Sequence, residues 1–158
     1  MVVKRNIRNS AKAIILKDNQ ILLTKNKDND GYFYLFPGGG QEHGETIRDT
    51  LLRECMEELG EQVEVGDLLH IREYIGKNHE FASSHYDAHQ VEFYFVCKLE
   101  VEENNSLQPN NPDDYQVGVE WISISELQEY RVYPKEITKF ISMYVKNEKA
   151  SVYLGDVN

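Results

Sequence analysis

The segment Gly39–Glu61, GGQEHGETIRDTLLRECMEELGE, carries a glycine run straight into a short helix that holds too many acids. Glu54, Glu57 and Glu58 stand at i, i+3 and i+4, so their carboxylates project from one helix face. Like charges at that spacing repel by roughly 0.2–0.5 kcal/mol per pair in an isolated helix. A chain that accepts this repulsion implies a cation to relieve it. Three carboxylates beside glycines make a hard-oxygen site suited to Mg²⁺ or Mn²⁺.

The same segment dictates its own helix. Thr46 is placed to cap the first turn, with Asp49 at the reciprocal position of a capping box. Ile47, Leu51, Cys55 and Leu59 recur at steps of four, joined by Leu52 and Met56, and form a stripe to pack on a sheet. The glutamates are then left on a wetter face, and Gly60 supplies a left-handed stop.

These residues resemble the Nudix box, G-x5-E-x7-R-E-U-x-E-E-x-G-U, where U is a bulky aliphatic. Gly39, Glu45, Arg53, Glu54, Glu57, Glu58 and Gly60 fill its glycine and polar positions in register, while Cys55 and Glu61 depart from it at two U positions. The resemblance implies an α/β (α+β) fold, an α/β/α sandwich with a mixed sheet between helices, with elements in family order from about residue 10 to 146. It implies a hydrolase in which the carbonyl of Gly39 and the carboxylates of Glu54, Glu57 and Glu58 hold Mg²⁺ or Mn²⁺, Glu54 and Glu58 most directly. Glu45 and Arg53 would clamp the loop against the helix. Gly38 and Gly40 let backbone approach a phosphate without a Cβ in the way.

The implied reaction is water attack on phosphorus, cleaving the diphosphate link between a nucleoside diphosphate and some moiety X. For the general base, Glu54 is one candidate. Family members often place it in the loop before a late Trp, and here PDDYQVGVEW offers Asp113 and Asp114 ahead of Trp121. A Pro-Asp-Asp run is also ordinary turn chemistry. Glu92 and Glu120 are weaker candidates. His85 and His89, with His79, flank a polar loop that could meet the X group, although no spacing matches a zinc pattern. Tyr32, Tyr34 and Phe36 could stack on a base or fill the core.

Length fits one domain spanning 1–158. A net charge of −10 argues against a nucleic-acid partner, although much of the acid is local to the box helix and to Glu100, Glu102 and Glu103. Divalent ions would invert the local field toward a phosphate substrate. Cys55 and Cys97 stand alone in apolar runs, as reduced core thiols of a cytoplasmic protein would. No apolar run suggests a signal peptide or a membrane span. Nothing excludes a homodimer.

Along the rest of the chain, Ser10–Lys17 and Gln20–Lys25 read as strands of a hairpin turning at Asp18-Asn19. Asp28–Gly31 is a turn, and Tyr32–Phe36 is a strand stopped by Pro37 and a turn of three glycines. Val63–Gly76 and Gln90–Val101 are strands, the second apolar enough to be central. Lys77–His89 and Asn104–Asp114 read as polar loops. Val117–Ser123 is a strand, Ser125–Tyr130 a short helix capped by Ser125, and Pro134–Asn147 a helix with Ile137, Phe140, Ile141 and Tyr144 inward. Two other functions compete: a non-catalytic nucleotide or ADP-ribose sensor, and an isomerase of allylic diphosphates needing a cysteine beside the metal. Subclass markers downstream of the box are missing, since Gly76, Lys77 and Asn78 occupy that stretch and Tyr74 is out of place.

Overall fold

The computed structural model describes residues 5–101 and 107–158. Glu102, Glu103 and the first residues of the 104–114 loop lie outside the described residues. The strands are β1 (Arg8–Lys17), β2 (Gln20–Asp28), β3 (Gly31–Leu35), β4 (Gly38–Gly40), β5 (Val63–Ile75), β6 (His89–Leu99), β7 (Gln116–Ser123), β8 (Val132–Tyr133) and β9 (Tyr153–Asp156). The α-helices are α1 (Ile47–Leu59), α2 (Ala82–His85) and α3 (Lys135–Val145). The strands join in the order β8-β3-β2-β1-β6-β5-β9, with β4 added on β1 and β7 on β2. The sheet is mixed: β1 runs parallel to β6 and antiparallel to β2 and β4.

The β1 strand is where the two halves of the sheet part. Residues Arg8–Ile15 pair with β6, whereas only Leu16 and Lys17 pair with β2. The turn between β1 and β2 is made by Asp18 and Asn19, whose φ values of 50° and 60° match the right-handed twist of a tight hairpin. Alternation along β1 feeds two separate cores. Ala11, Ala13 and Ile15 pack with Leu51, Cys55 and Leu59 of α1, while Ile14 packs with Ile137 and Ile141 of α3. Complete burial of Leu51 and Leu59 stabilises the α1 layer by roughly 1.5–3 kcal/mol each. The β6 strand lies between β1 and β5, as its apolar run predicts.

The α1 helix begins and ends where its sequence dictates. Thr46 accepts the amide of Asp49, the Asp49 carboxylate accepts the amide of Thr46, and Gly60 closes the helix at φ 72°. Its outer faces differ from expectation. Leu52 is exposed, because the α1 layer is filled by Ile47, Leu51, Cys55 and Leu59 alone. Glu58, expected on a wet face, is only 3% exposed, because the glycine strand and the 107–116 loop close over the last turn.

Several other expectations are corrected by non-local pairing. The three glycines form the strand β4 rather than a turn, since Gly38, Gly39 and Gly40 pair with Lys12, Ala11 and Ser10. That approach requires glycine at 38, where φ is 136° and a Cβ would stand 1.9 Å from the carbonyl oxygen of Ala11. The 77–89 stretch contains a 3-10 turn at Gly76–Asn78 and then α2, held by stacking of Tyr74 with His79 and edge contact of Phe81 with Tyr133. Ser125 does not cap its helix: the 3-10 segment Ile124–Glu129 is flanked at its start by Ser123, and the two hydroxyls bond each other at 2.9 Å. On α3, Thr138 is buried and Tyr144 is exposed, because the helix meets the sheet through its first two turns only. The strands β8 and β9 were not expected at all.

Candidate active site

The site is assembled where β4, the loop after it and α1 meet. Arg53 stands at its center. Its Nε and Nη2 donate to the two oxygens of Glu45 at 2.8 and 2.9 Å, Nη2 also donates to the carbonyl of Gly40 at 3.0 Å, and Nη1 donates to Glu54 Oε1 at 2.9 Å. Glu57 Oε1 lies 3.5 Å from the same guanidinium. A planar fork with five donors can bind a carboxylate bidentately and still reach a carbonyl, which a lysine cannot do. The fork, the Glu42 amide and the Thr50 hydroxyl together hold the Glu45 carboxyl down at about 2. Loop and helix are thereby locked.

Gly39 faces Glu54 on one side of β4. A Cβ there would lie 2.5–2.7 Å from the carboxyl atoms of Glu54, so the space between backbone and carboxylate exists only because residue 39 is glycine. Gly40 has the same relation to Arg8, whose guanidinium a Cβ would meet at 2.3 Å. Glu58 accepts the Gly38 amide at a long 3.4 Å and enters no salt bridge among the described residues. Burial pushes its carboxyl up to about 8, with Asp113 and Glu54 adding to the shift and Lys12 opposing it. An acid so placed is short of positive charge.

These groups fit a divalent cation of the hard, oxygen-seeking kind. Among the described residues no three His, Cys, Asp or Glu side chains close on one point as a ready cage. Mg²⁺ does not need one, since it keeps several waters and binds through one or two carboxylates and substrate phosphates.

The structure brings some of the other predicted residues to this place and leaves others aside. Asp113 and Asp114 are both exposed and enter no salt bridge among the described residues, although the charge of Asp113 reaches Glu58. Glu120 is engaged by the Tyr34 hydroxyl at 2.8 Å and by Lys25. Glu92 is buried against Arg72 and the Tyr94 hydroxyl. His85 pairs with the Tyr74 hydroxyl at 2.9 Å, His89 with Glu73 at 3.0 Å and His79 with Asp156 at 2.5 Å. None of these three rings is hydrogen-bonded to the glutamates or glycines of the box. Tyr34 and Phe36 are core, and Tyr32 is exposed. Both thiols are buried in the α1 cluster and pushed up by burial, Cys97 to about 12, which leaves the isomerase reading without its cysteine.

Sequence reasoning missed Lys12. Its Nζ donates to the carbonyl of Gly38 at 3.2 Å, and its charge reaches both Glu58 and Glu92. The signal was present: Lys12 interrupts the apolar run SAKAIIL at an inward position of period two.

The NUDIX domain family model matches residues 7–141. The chain belongs to the Nudix family. A nucleoside triphosphatase, NudI, of Salmonella agona is 33% identical over 122 residues, covering 74% of this chain and 82% of that protein. Among solved structures, a Nudix hydrolase from Nitrosomonas europaea aligns with TM-score 0.71 at 20% identity, over 93% of this chain and 94% of its own. An ADP-ribose pyrophosphatase from Streptococcus suis aligns with TM-score 0.63 at 21% identity, over 97% of this chain and all of its own. This Nudix chain is a hydrolase of phosphoric anhydride bonds, and no helix among its described residues is long and apolar enough to cross a membrane.

Proposed function

We propose that this Nudix hydrolase is a Mg²⁺- or Mn²⁺-dependent pyrophosphohydrolase that cleaves the diphosphate link of a nucleoside diphosphate joined to a moiety X. The observation that carries the reading is the Gly39–Glu54 gap, a space beside a carboxylate that any other residue at 39 would fill. Glu54, Glu57, Glu58 and the Gly39 carbonyl would hold the ion, which when bound neutralises the diphosphate and polarises the attacked phosphorus.

The protein's own residues supply the rest. Arg53 and Glu45 keep β4 and α1 at fixed separation, so the carboxylates need not reorganise during reaction. A water oxygen bonds to one phosphorus while the bridging P–O bond breaks and its electrons leave with the departing phosphate. The water's proton passes to a carboxylate: Glu54, or Asp113 or Asp114 from the neighboring loop. Gly38 and Gly40 leave backbone open to the phosphates, and His85 at the end of α2 and His89 at the start of β6 would meet X. The triphosphatase name of the Salmonella relative puts nucleoside triphosphates first among substrates, with X a phosphate, and ADP-ribose next.

A panel of nucleoside triphosphates, ADP-ribose and sugar nucleotides, assayed with Mg²⁺ or Mn²⁺ and with products identified, tests this. Glu57→Gln and Glu58→Gln should each lower turnover by two orders of magnitude or more, roughly the cost of one transition-state electrostatic partner, with the fold retained. Full activity in both variants would sink the assignment of these residues. Tight binding of one compound without hydrolysis of any would favour the sensor reading instead.

A further inference from the structure

Lys12 is a cation inside an acidic site with capacity to spare. An ammonium carries three N–H donors, and Lys12 gives one, to Gly38 O at 3.2 Å. It enters no salt bridge among the described residues, although its charge is felt at Glu58 and Glu92. Glu92 is already satisfied by Arg72 and the Tyr94 hydroxyl, so Lys12 is not needed to complete that pair.

Arg8 stands four residues before Lys12 on the same side of β1, with Ser10 between on that side. Its side chain lies over Gly40 as that of Lys12 lies over Gly38, so the two cations mark the two ends of the glycine strand. Arg8 also enters no salt bridge among the described residues. Four residues of strand separate their backbones by about 13 Å, a gap that two long side chains can close toward one anion. Glu58 of α1 meets β4 at the same residue as Lys12, Gly38, whereas Glu54 lies at Gly39, on the opposite side of the strand from Arg8.

We propose that Lys12 contacts the diphosphate of the substrate, with Arg8 as a second, outer contact to the same anion. The proposal rests on the pyrophosphohydrolase reading for the substrate's identity, but the anion contact itself is separable from turnover. Carboxylates recruit a metal and repel the phosphate that must join it. Lys12 supplies fixed positive charge at Gly38, where Glu58 also reaches β4, in place before any ion arrives.

The test uses inorganic pyrophosphate, titrated calorimetrically into wild type, Lys12→Met, Lys12→Arg and Arg8→Met with Mn²⁺ present, and Mn²⁺ titrated alone into each. Lys12→Met should weaken pyrophosphate binding tenfold or more, the usual effect of losing a hydrogen bond to a charged group. Lys12→Arg should retain most of the affinity, Arg8→Met should lose less than Lys12→Met, and Mn²⁺ binding alone should change far less than pyrophosphate binding in every variant. Equal pyrophosphate affinity in wild type and Lys12→Met overturns the proposal. So does a loss of Mn²⁺ affinity as large as the loss for pyrophosphate, which would make Lys12 a support for the carboxylates only. Absence of pyrophosphate binding to wild type overturns it as well. Failure of every compound in the hydrolysis panel, with the pyrophosphate differences intact, would instead strike the proposed function and leave the anion contact standing.

Discussion

At the scale of single residues, the site depends on how one guanidinium is shared. Arg53 holds Glu45 bidentately and still reaches Gly40 and Glu54, so a lysine there keeps the charge and loses the fork. Arg53→Lys should cost about 1–3 kcal/mol in chemical denaturation and a larger factor in kcat, because the loop then drifts from the helix. Glu58 gives a second residue-scale prediction. Its folded value near 8 lies above the ordinary 4.5, so between those values the folded protein binds more protons than the unfolded chain. Stability of the metal-free protein should therefore fall as pH rises from about 5 to about 8.5, by a few kcal/mol at most. Thermal melts in chelator across that range check the sign, and added Mn²⁺ should flatten the slope by compensating the ionised form.

At the scale of elements, α1 is finished by residues far along the chain. Its late carbonyls accept from the loop before β7 and from the first residue of β7: Glu57 O from the amides of Asn110 and Asn111, Glu58 O from the Gln116 side chain. Gly60 sits where a Cβ would come within 1.9 Å of Gln108 O, and its φ of 72° is left-handed. Gly60→Ala should thus cost more than the roughly 1–2 kcal/mol of the backbone strain alone, read as a shift in denaturation midpoint. The helix itself was legible in sequence, with its capping box, buried stripe and glycine stop, because all three signals are local. The β4, β8 and β9 strands were not, because three, two and four residues carry no periodicity and owe their form to partners elsewhere. The same division holds in the site. Arg53 and Glu45 could be paired from the family box they fill, whereas the burial of Glu58 and the place of Lys12 depend on which strand the glycines join. Tyr144 was misplaced because a helix stripe shows which face is apolar, not how far along the helix the sheet extends.

At the scale of the whole molecule, β9 and the residues after it fasten to β5 through buried charge. Arg72 pairs with Glu92 and also donates to the carbonyl of Val157 and the side chain of Asn158, while Asp156 accepts from Ile75 N, Asn78 and His79. Arg72→Met would leave Glu92 buried without its cation, a loss of about 3–5 kcal/mol, whereas exchanging both for apolar residues should recover much of it. Denaturation of the single and double variants measures the difference. The division of β1 between two cores has its own result. Ile14 belongs to the layer under α3, and Ala11, Ala13 and Ile15 to the layer under α1, so neither layer can open while the strand between them stays whole. The β1 amides should then exchange with solvent only through global unfolding, at the slowest rate in the molecule, and calorimetry should register one cooperative transition.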